Sequence, residues 1–189
     1  MLNEKIKTLI FVSNIWVFGV SLLGPLFAVY SQRIGGDIFD ITSAWAAYLF
    51  VSGLAVIVVG KLSDNVSKTK LLIAGYVIGA VSTLGYIFVE NPVQLIFLQA
   101  WLGLSDALIS PTWDSLYSQY GSRKKSGLEW GLADGLPSIV QGCAVILGGV
   151  IVSYFSFKPL FITMALIQLI AAGYTLNMLR YEKNKAKRK

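Results

Sequence analysis

Six stretches of this chain are long enough and apolar enough to cross a lipid bilayer, which leaves few folds open to it. They run at about 8–30, 42–60, 71–89, 93–117, 130–155 and 159–179; a helical span needs about 20 such residues. A soluble helical bundle would require a broad polar face on every helix, and these windows lack one. Only 14% of the residues are charged and 55% are hydrophobic, whereas soluble domains carry about 25% charge. The expected fold is therefore an all-α membrane protein, with 1–189 forming one domain of six transmembrane helices. The first window is too long for the apolar core of a cleaved signal, and no small-x-small site follows it.

The basic residues set the expected orientation. Lys5 and Lys7 precede the first span, Lys61, Lys68 and Lys70 flank the turn after the second, and Arg123, Lys124 and Lys125 follow the fourth. The tail at 180–189 adds Arg180, Lys183, Lys185, Lys187, Arg188 and Lys189, so only Arg33 and Lys158 fall on the opposite side. The excess of Lys and Arg in cytoplasmic loops then predicts a multi-pass protein of the cell membrane with both termini in the cytoplasm. On this reading the tail "RYEKNKAKRK" anchors topology beside anionic lipid headgroups, and the net charge of +6 calls for no nucleic-acid partner. Cys143 is the sole cysteine, which excludes an intramolecular disulfide and leaves a small packing residue. Histidine is absent, so imidazole metal sites and histidine proton relays are excluded, and no metal site is expected.

An internal repeat divides the chain. "GLAVIVVG" at 53–60 returns as "GCAVILGG" at 142–149, and "YSQ" at 30–32 returns at 117–119. Lys70 matches Lys158, and "GY" at 85–86 matches "GY" at 173–174, so the anchors share an offset of 87 to 89 positions. Two repeats of three spans follow, one at about 8–89 and one at about 93–179. Three is odd, so the second repeat is expected to lie upside down relative to the first, as in many secondary transporters. The small residues Gly53, Ala55, Gly60, Gly142, Ala144 and Gly148 in the matched segments are expected to allow close helix contact.

The turn after the second span reads "GKLSDNVSKTK", 60–70. It resembles the loop signature of the major facilitator superfamily, roughly G-x-L-[AS]-D-[RK]-x-G-[RK]-[RK], with Gly60, Leu62, Ser63, Asp64 and Lys68 in place. Asn65 stands for the usual base and Ser67 for the usual glycine. The order of elements also agrees, with Pro111 and Asp114 ending span four, a basic loop, and a glycine-rich span five. The antiporter signature of that span is only partly present: Gly148-Gly149 occur without the preceding Gly-Pro. The resemblance covers about residues 8–179 but matches only half of a twelve-span transporter. It implies a partner half, and two copies of an even-spanned chain can pair in parallel as a C2 homodimer about the membrane normal. It also implies that Gly60, Asp64, Lys68 and Asp114 act as a conformational latch, where a carboxylate meets a helix N-terminus or a base. The alternative is that Asp64 caps span three and the lysines only anchor topology.

Polar residues within the spans mark the candidate site. Asp106 lies in the middle of span four, where an ionised carboxylate costs roughly 2.5–3.5 kcal/mol and must face protein or a water-filled cavity. Gln99, Asp106, Ser110, Trp113 and Tyr117 follow helical steps along one face, as do Asp134, Ser138 and Gln141 on span five. Span one offers Asn14, Phe18 and Ser21, and span two offers Trp45, Tyr48 and Ser52. Four polar-aromatic faces suit an amphipathic pocket for a small molecule. In the family the first and fourth spans line the central cavity, which points to Asn14 and Asp106. Against this, Ser, Asn and Gln also bond between helices for packing alone, and Trp45 and Trp130 suit an interfacial belt.

No Lys or Arg lies deep in any span, so nothing is positioned to hold a phosphate or carboxylate. Two copies of Asp106 on the walls of one cavity would repel as carboxylates, which makes Asp106 a candidate proton carrier. The expected activity is secondary transport of a neutral or cationic solute, sugar-like or drug-like, driven by a proton gradient without any cofactor. Symport and antiport both remain open. A heteromeric or non-transporting half and a channel are the alternatives. ATP-driven and proteolytic readings fail on their motifs. "GLAVIVVGKL" has the wrong glycine spacing and lacks the Ser/Thr of a phosphate loop. "GLAD" at 131–134 is not the Gly-x-Gly-Asp of intramembrane aspartyl proteases.

Overall fold

The structure, a computed structural model, describes residues 3–121 and 126–186, with side chains described over 3–121 and 127–178. The basic residues Arg123, Lys124 and Lys125, and the tail side chains from Arg180 onward, lie outside the described residues. Among the described residues every regular element is helical: α1 (Glu4–Ser21), α2 (Leu26–Arg33), α3 (Ile38–Asn65), α4 (Lys68–Gly85), α5 (Pro92–Tyr120), α6 (Ser126–Tyr154) and α7 (Phe157–Ala186), with a 3-10 turn at Tyr86–Phe88 closing α4. Six spans result, because α1 and α2 together cross as Glu4–Arg33. Helices are what a bilayer demands, since each satisfies its backbone donors and acceptors internally.

The first span is broken, which its uninterrupted apolar window does not predict. Gly24 takes a positive φ of 30° and Pro25 opens α2 without an N–H to continue the ladder. Leu26 N donates to the Leu23 carbonyl and Phe27 N to that of Gly24, so the chain turns through two tight steps before α2. Pro111 in α5 and Pro137 in α6, by contrast, sit inside continuous helices. The other helix starts are locally encoded. Asp37 and Asp40 exchange backbone–carboxylate bonds of 2.8 and 3.0 Å to form a capping box on α3. At α5, Asn91 accepts from Gln94 N at 3.0 Å with Pro92 in the first turn. Asp64 caps nothing: Ser67 holds the N-cap position of α4 and Asp64 is exposed.

α3 packs along α5, α6 along α1, α4 against α5 and α7, and α1 against α7. The α3 and α6 spans are the least buried and the α4 span the most. Two glycines allow the backbones of neighbouring helices to approach closely. A Cβ on Gly148 of α6 would overlap the Leu22 carbonyl beside the break after α1, and one on Gly103 of α5 would sit 2.6 Å from the Tyr48 carbonyl of α3. The repeated segments pack differently where their residues differ. Gly148, in close contact as expected, stands where the first copy has Val59, and Ala144 is fully buried. The matched glycines Gly53 and Gly142, and Gly60 and Gly149, all face open space. Cys143 is likewise exposed rather than packed.

Charge separates along the molecule. Lys5 and Lys7 at the start of α1, and Lys61, Lys68 and Lys70 around the α3–α4 turn, lie at the end where Lys5 sits over the Tyr120 ring, 4.7 Å from its centroid. Arg33 lies at the other end, 5.0 Å over the Phe157 ring.

A matched pair of substitutions checks the crossings. Gly148→Ala, which must displace the Leu22 backbone, is expected to destabilise the protein by about 1–3 kcal/mol. Gly142→Ala meets nothing and should be neutral or stabilising by up to about 1 kcal/mol through helix propensity. Thermal unfolding of both variants in detergent would show equal melting temperatures if the α1–α6 crossing were looser than described.

Candidate functional site

A cavity of about 440 Å³ lies among all six spans. Its aromatic walls are Trp16 and Phe27 of the first span, Trp45 and Tyr48 of α3, and Tyr86 after α4. Its polar groups are Ser21, Thr83, Gln99, Ser105, Asp106, Gln141 and Gln168, besides the tyrosine hydroxyls. The size and the mixture of aromatic surface with few polar groups are those of a small-molecule pocket. Among the described residues no Lys or Arg lines it.

Asp106 is the charged group in this lining, and its position follows from the α3–α5 crossing. Gly103, one turn earlier on α5, lets the α3 backbone approach at Tyr48 and Ser52. The buried Ser52 hydroxyl then donates to Asp106 Oδ2 at 2.6 Å. Tyr48 is an electrostatic neighbour of the same carboxylate, and its ring stacks on Trp45 with centroids 5.3 Å apart. Asp106 itself is only partly buried, so it keeps acceptor capacity toward the cavity.

The remaining predicted residues scatter. Gln99 lines the cavity but is buried and accepts from the Tyr86 hydroxyl at 3.0 Å. Tyr30 in turn donates to the Tyr86 carbonyl at 2.6 Å, so Gln99 belongs to a bonded aromatic cluster at the Arg33 end. Gln141 lines the cavity from α6 and is exposed. Asn14 does not line it: its Nδ2 donates to the Ile10 carbonyl at 2.8 Å within α1, while Oδ1 has no partner. Trp16 and Ser21 represent the first span instead, and Phe18 packs into the core. Trp113 stacks on Tyr117 with centroids 4.9 Å apart, well removed along α5 from Asp106. Seven residues along a helix is a rise of about 10 Å, so residues on one face need not share one site.

Asp134 is exposed on α6, away from the cavity lining, and acts electrostatically on Asp114 of α5. Around these two acids, Tyr117 donates to the Glu129 carbonyl and packs against Trp130 with centroids 4.8 Å apart. In the α3–α4 turn, Lys68 Nζ donates to the Ser63 carbonyl at 3.1 Å, and Ser63 donates to the Gly60 carbonyl at 2.8 Å. No ion pair joins Asp64 or Asp114 to Lys61, Lys68 or Lys70 among the described residues. Thr83 and Gln168 were missed on sequence grounds. An amide within the apolar run "ALIQLIAAG" was the available signal, because a polar side chain at that depth needs a partner or a role.

Gln99 and Gln141 should separate structural from lining roles. Gln99→Leu orphans the buried Tyr86 hydroxyl and is expected to cost about 1–3 kcal/mol. Gln141→Leu leaves stability unchanged. Similar melting temperatures for the two variants would refute the Gln99–Tyr86 bond as a stability element.

Residues 9–189 match the profile of the Major Facilitator Superfamily. An uncharacterized MFS-type transporter of Methanocaldococcus jannaschii is 25% identical over 190 residues, covering 97% of this chain and 49% of that protein. The multidrug resistance protein MdtG of Salmonella typhimurium is 24% identical over 183 residues, covering 94% of this chain and 45% of its own length. Its counterpart in Escherichia coli K12 is 22% identical over the same coverage. The chain thus spans about half the length of the curated relatives it matches. Members of the family are transporters rather than enzymes. With six apolar helices and a family match along nearly its whole length, this multi-pass membrane chain belongs to the Major Facilitator Superfamily.

Proposed function

We propose that this chain forms one half of a secondary active transporter for a small organic cation. It works by alternating access with a second six-span half and is driven by protons. The observation that carries the reading is Asp106, a carboxylate bonded by Ser52 at 2.6 Å inside an aromatic cavity that, among the described residues, no Lys or Arg lines. An aromatic cage with one acid attracts organic cations through the ring faces and the charge together. Among the described residues it offers an anion no positive charge. The name of the relative MdtG, a multidrug resistance protein, favours a drug-like over a sugar-like solute. A carboxylate that alternates between proton and cation couples the two flows without a cofactor.

The second half is another copy of this chain, paired in parallel. Asp134 and Ser138, exposed on α6, and Gln141 beside them need protein or water rather than lipid, and a second half supplies it. The neighbour pattern supports inverted repeats, because α3 on α5 and α6 on α1 exchange under the repeat, as do α4 on α5 and α1 on α7. The basic end of the molecule is the cytoplasmic one. There Asp64 and Asp114 engage the partner half in one state and release it in the other, a reading supported by their exposure, Asp64 beside the Lys68–Ser63–Gly60 bonds.

Two experiments test this. In proteoliposomes, Asp106→Asn is expected to abolish or uncouple proton-driven uptake of tetraphenylphosphonium. Wild-type rates with unaltered pH dependence would sink the proposal. Separately, Ser138→Cys in a Cys143→Ala background should give a disulfide-linked dimer on oxidation in membranes. Monomer alone, with transport retained, would overturn the pairing.

A further inference from the structure

Gln168 is completely buried on α7, yet it lines the cavity. Its Oε1 accepts from the Thr83 hydroxyl of α4 at 3.0 Å, which fixes how the amide is turned. Gly19 of α1 closes the other side, where an added Cβ would come within 3.1 Å of Gln168 Cγ. The amide is therefore clamped among three helices with its oxygen occupied, and Nε2 is left with no partner. A clamped, desolvated donor gains more from an acceptor than a mobile one in water does.

We infer that Gln168 Nε2 is a specificity-determining donor: among the cations admitted by Asp106, it selects those that also carry a hydrogen-bond acceptor oxygen. The inference rests on the reading of this cavity as the substrate site and adds a second recognition point on a different span. Recognition then has two poles. Asp106 on α5 takes the positive centre, the aromatic rings cover the apolar body, and Gln168 on α7 donates to a carbonyl or ether oxygen. A purely apolar cation satisfies the first pole and leaves the amide desolvated without a partner, so it binds less well.

Two cations of equal charge and nearly equal shape isolate the effect, (2-phenylethyl)trimethylammonium and phenacyltrimethylammonium, which differ by a methylene replaced with a carbonyl. Their binding to the purified protein can be read by titration calorimetry and by fluorescence of Trp16 and Trp45 at the cavity wall. The wild type is expected to prefer the phenacyl cation by on the order of fivefold, the ratio for one net neutral hydrogen bond. Gln168→Leu should erase that preference, bringing the ratio of the two affinities to about one. Thr83→Val/Gln168→Leu, which removes both partners of the buried bond, should behave the same and guards against misfolding of the single variant. If the preference is absent in the wild type or survives in both variants, while Asp106→Asn weakens both cations, the inference falls and the cavity reading stands. Equal loss of both cations in both Gln168 variants would reduce Gln168 to packing and also overturn it. If neither cation binds the wild type, or Asp106→Asn changes neither affinity, the cavity reading fails and the inference with it.

Discussion

A carboxylate in the middle of an apolar span has to be met by protein, and the placement of Asp106 organises much of what surrounds it. The requirement is met by two small residues acting in order. Gly103 removes the side chain that would hold α3 away, and Ser52 then reaches Asp106 from the approached helix at 2.6 Å. Because the α3 backbone is drawn in at Tyr48, the Tyr48 and Trp45 rings arrive beside the same acid as one stacked pair. The aromatic wall and the charge are consequences of a single close crossing. A bulkier residue at 103 would disturb both at once.

Much of this was legible along the chain, and the rest depended on which way helices face. The six spans, the Asp106 position and the polar faces of α3 and α5 could all be read from composition and helical spacing, and Ser52 and Tyr48 do gather at Asp106. Spacing orders residues around a helix but is silent about level. Trp113 and Tyr117 therefore share the Asp106 face in projection, yet pack at the Lys5 end of the molecule. Hydropathy averages over Gly24-Pro25, so the break that turns α1 into α2 was invisible. Asn14 looked like a cavity residue on span one, but Trp16 and Ser21 hold that place, because α1 turns Asn14 back onto its own Ile10 carbonyl. Gln168 is visible in the sequence only as an unexplained amide, since its partner Thr83 lies 85 positions away.

The repeated segments make the same point from the opposite direction. The glycines at matched positions, Gly53 with Gly142 and Gly60 with Gly149, behave alike and have no close neighbour. The close contact falls instead on Gly148, which meets the Leu22 carbonyl and stands where the first copy has Val59. A repeat preserves the helix and its place in the bundle, but each copy tunes its own surface.

That difference is chemical as well as steric. On α3 the exposed side chains beside the repeated segment are Leu49, Phe50, Leu54, Ile57 and Val58, a surface that lipid satisfies. On α6 the glycines 127, 131, 135, 142 and 149 fall with Asp134, Ser138 and Gln141 on one continuous stripe at 100° per residue, while Ile139, Ile146 and Val150 occupy the next sector. Lipid can cover the second sector but not the first without exposing a carboxylate to hydrocarbon. Since Gln141 belongs to the cavity lining, the stripe borders the cavity itself. A helix docked on the glycines would therefore cover Asp134 and meet the Gln141 edge of the Asp106 chamber in the same step. The polar glycine stripe and the lining of the Asp106 cavity are two edges of one helix.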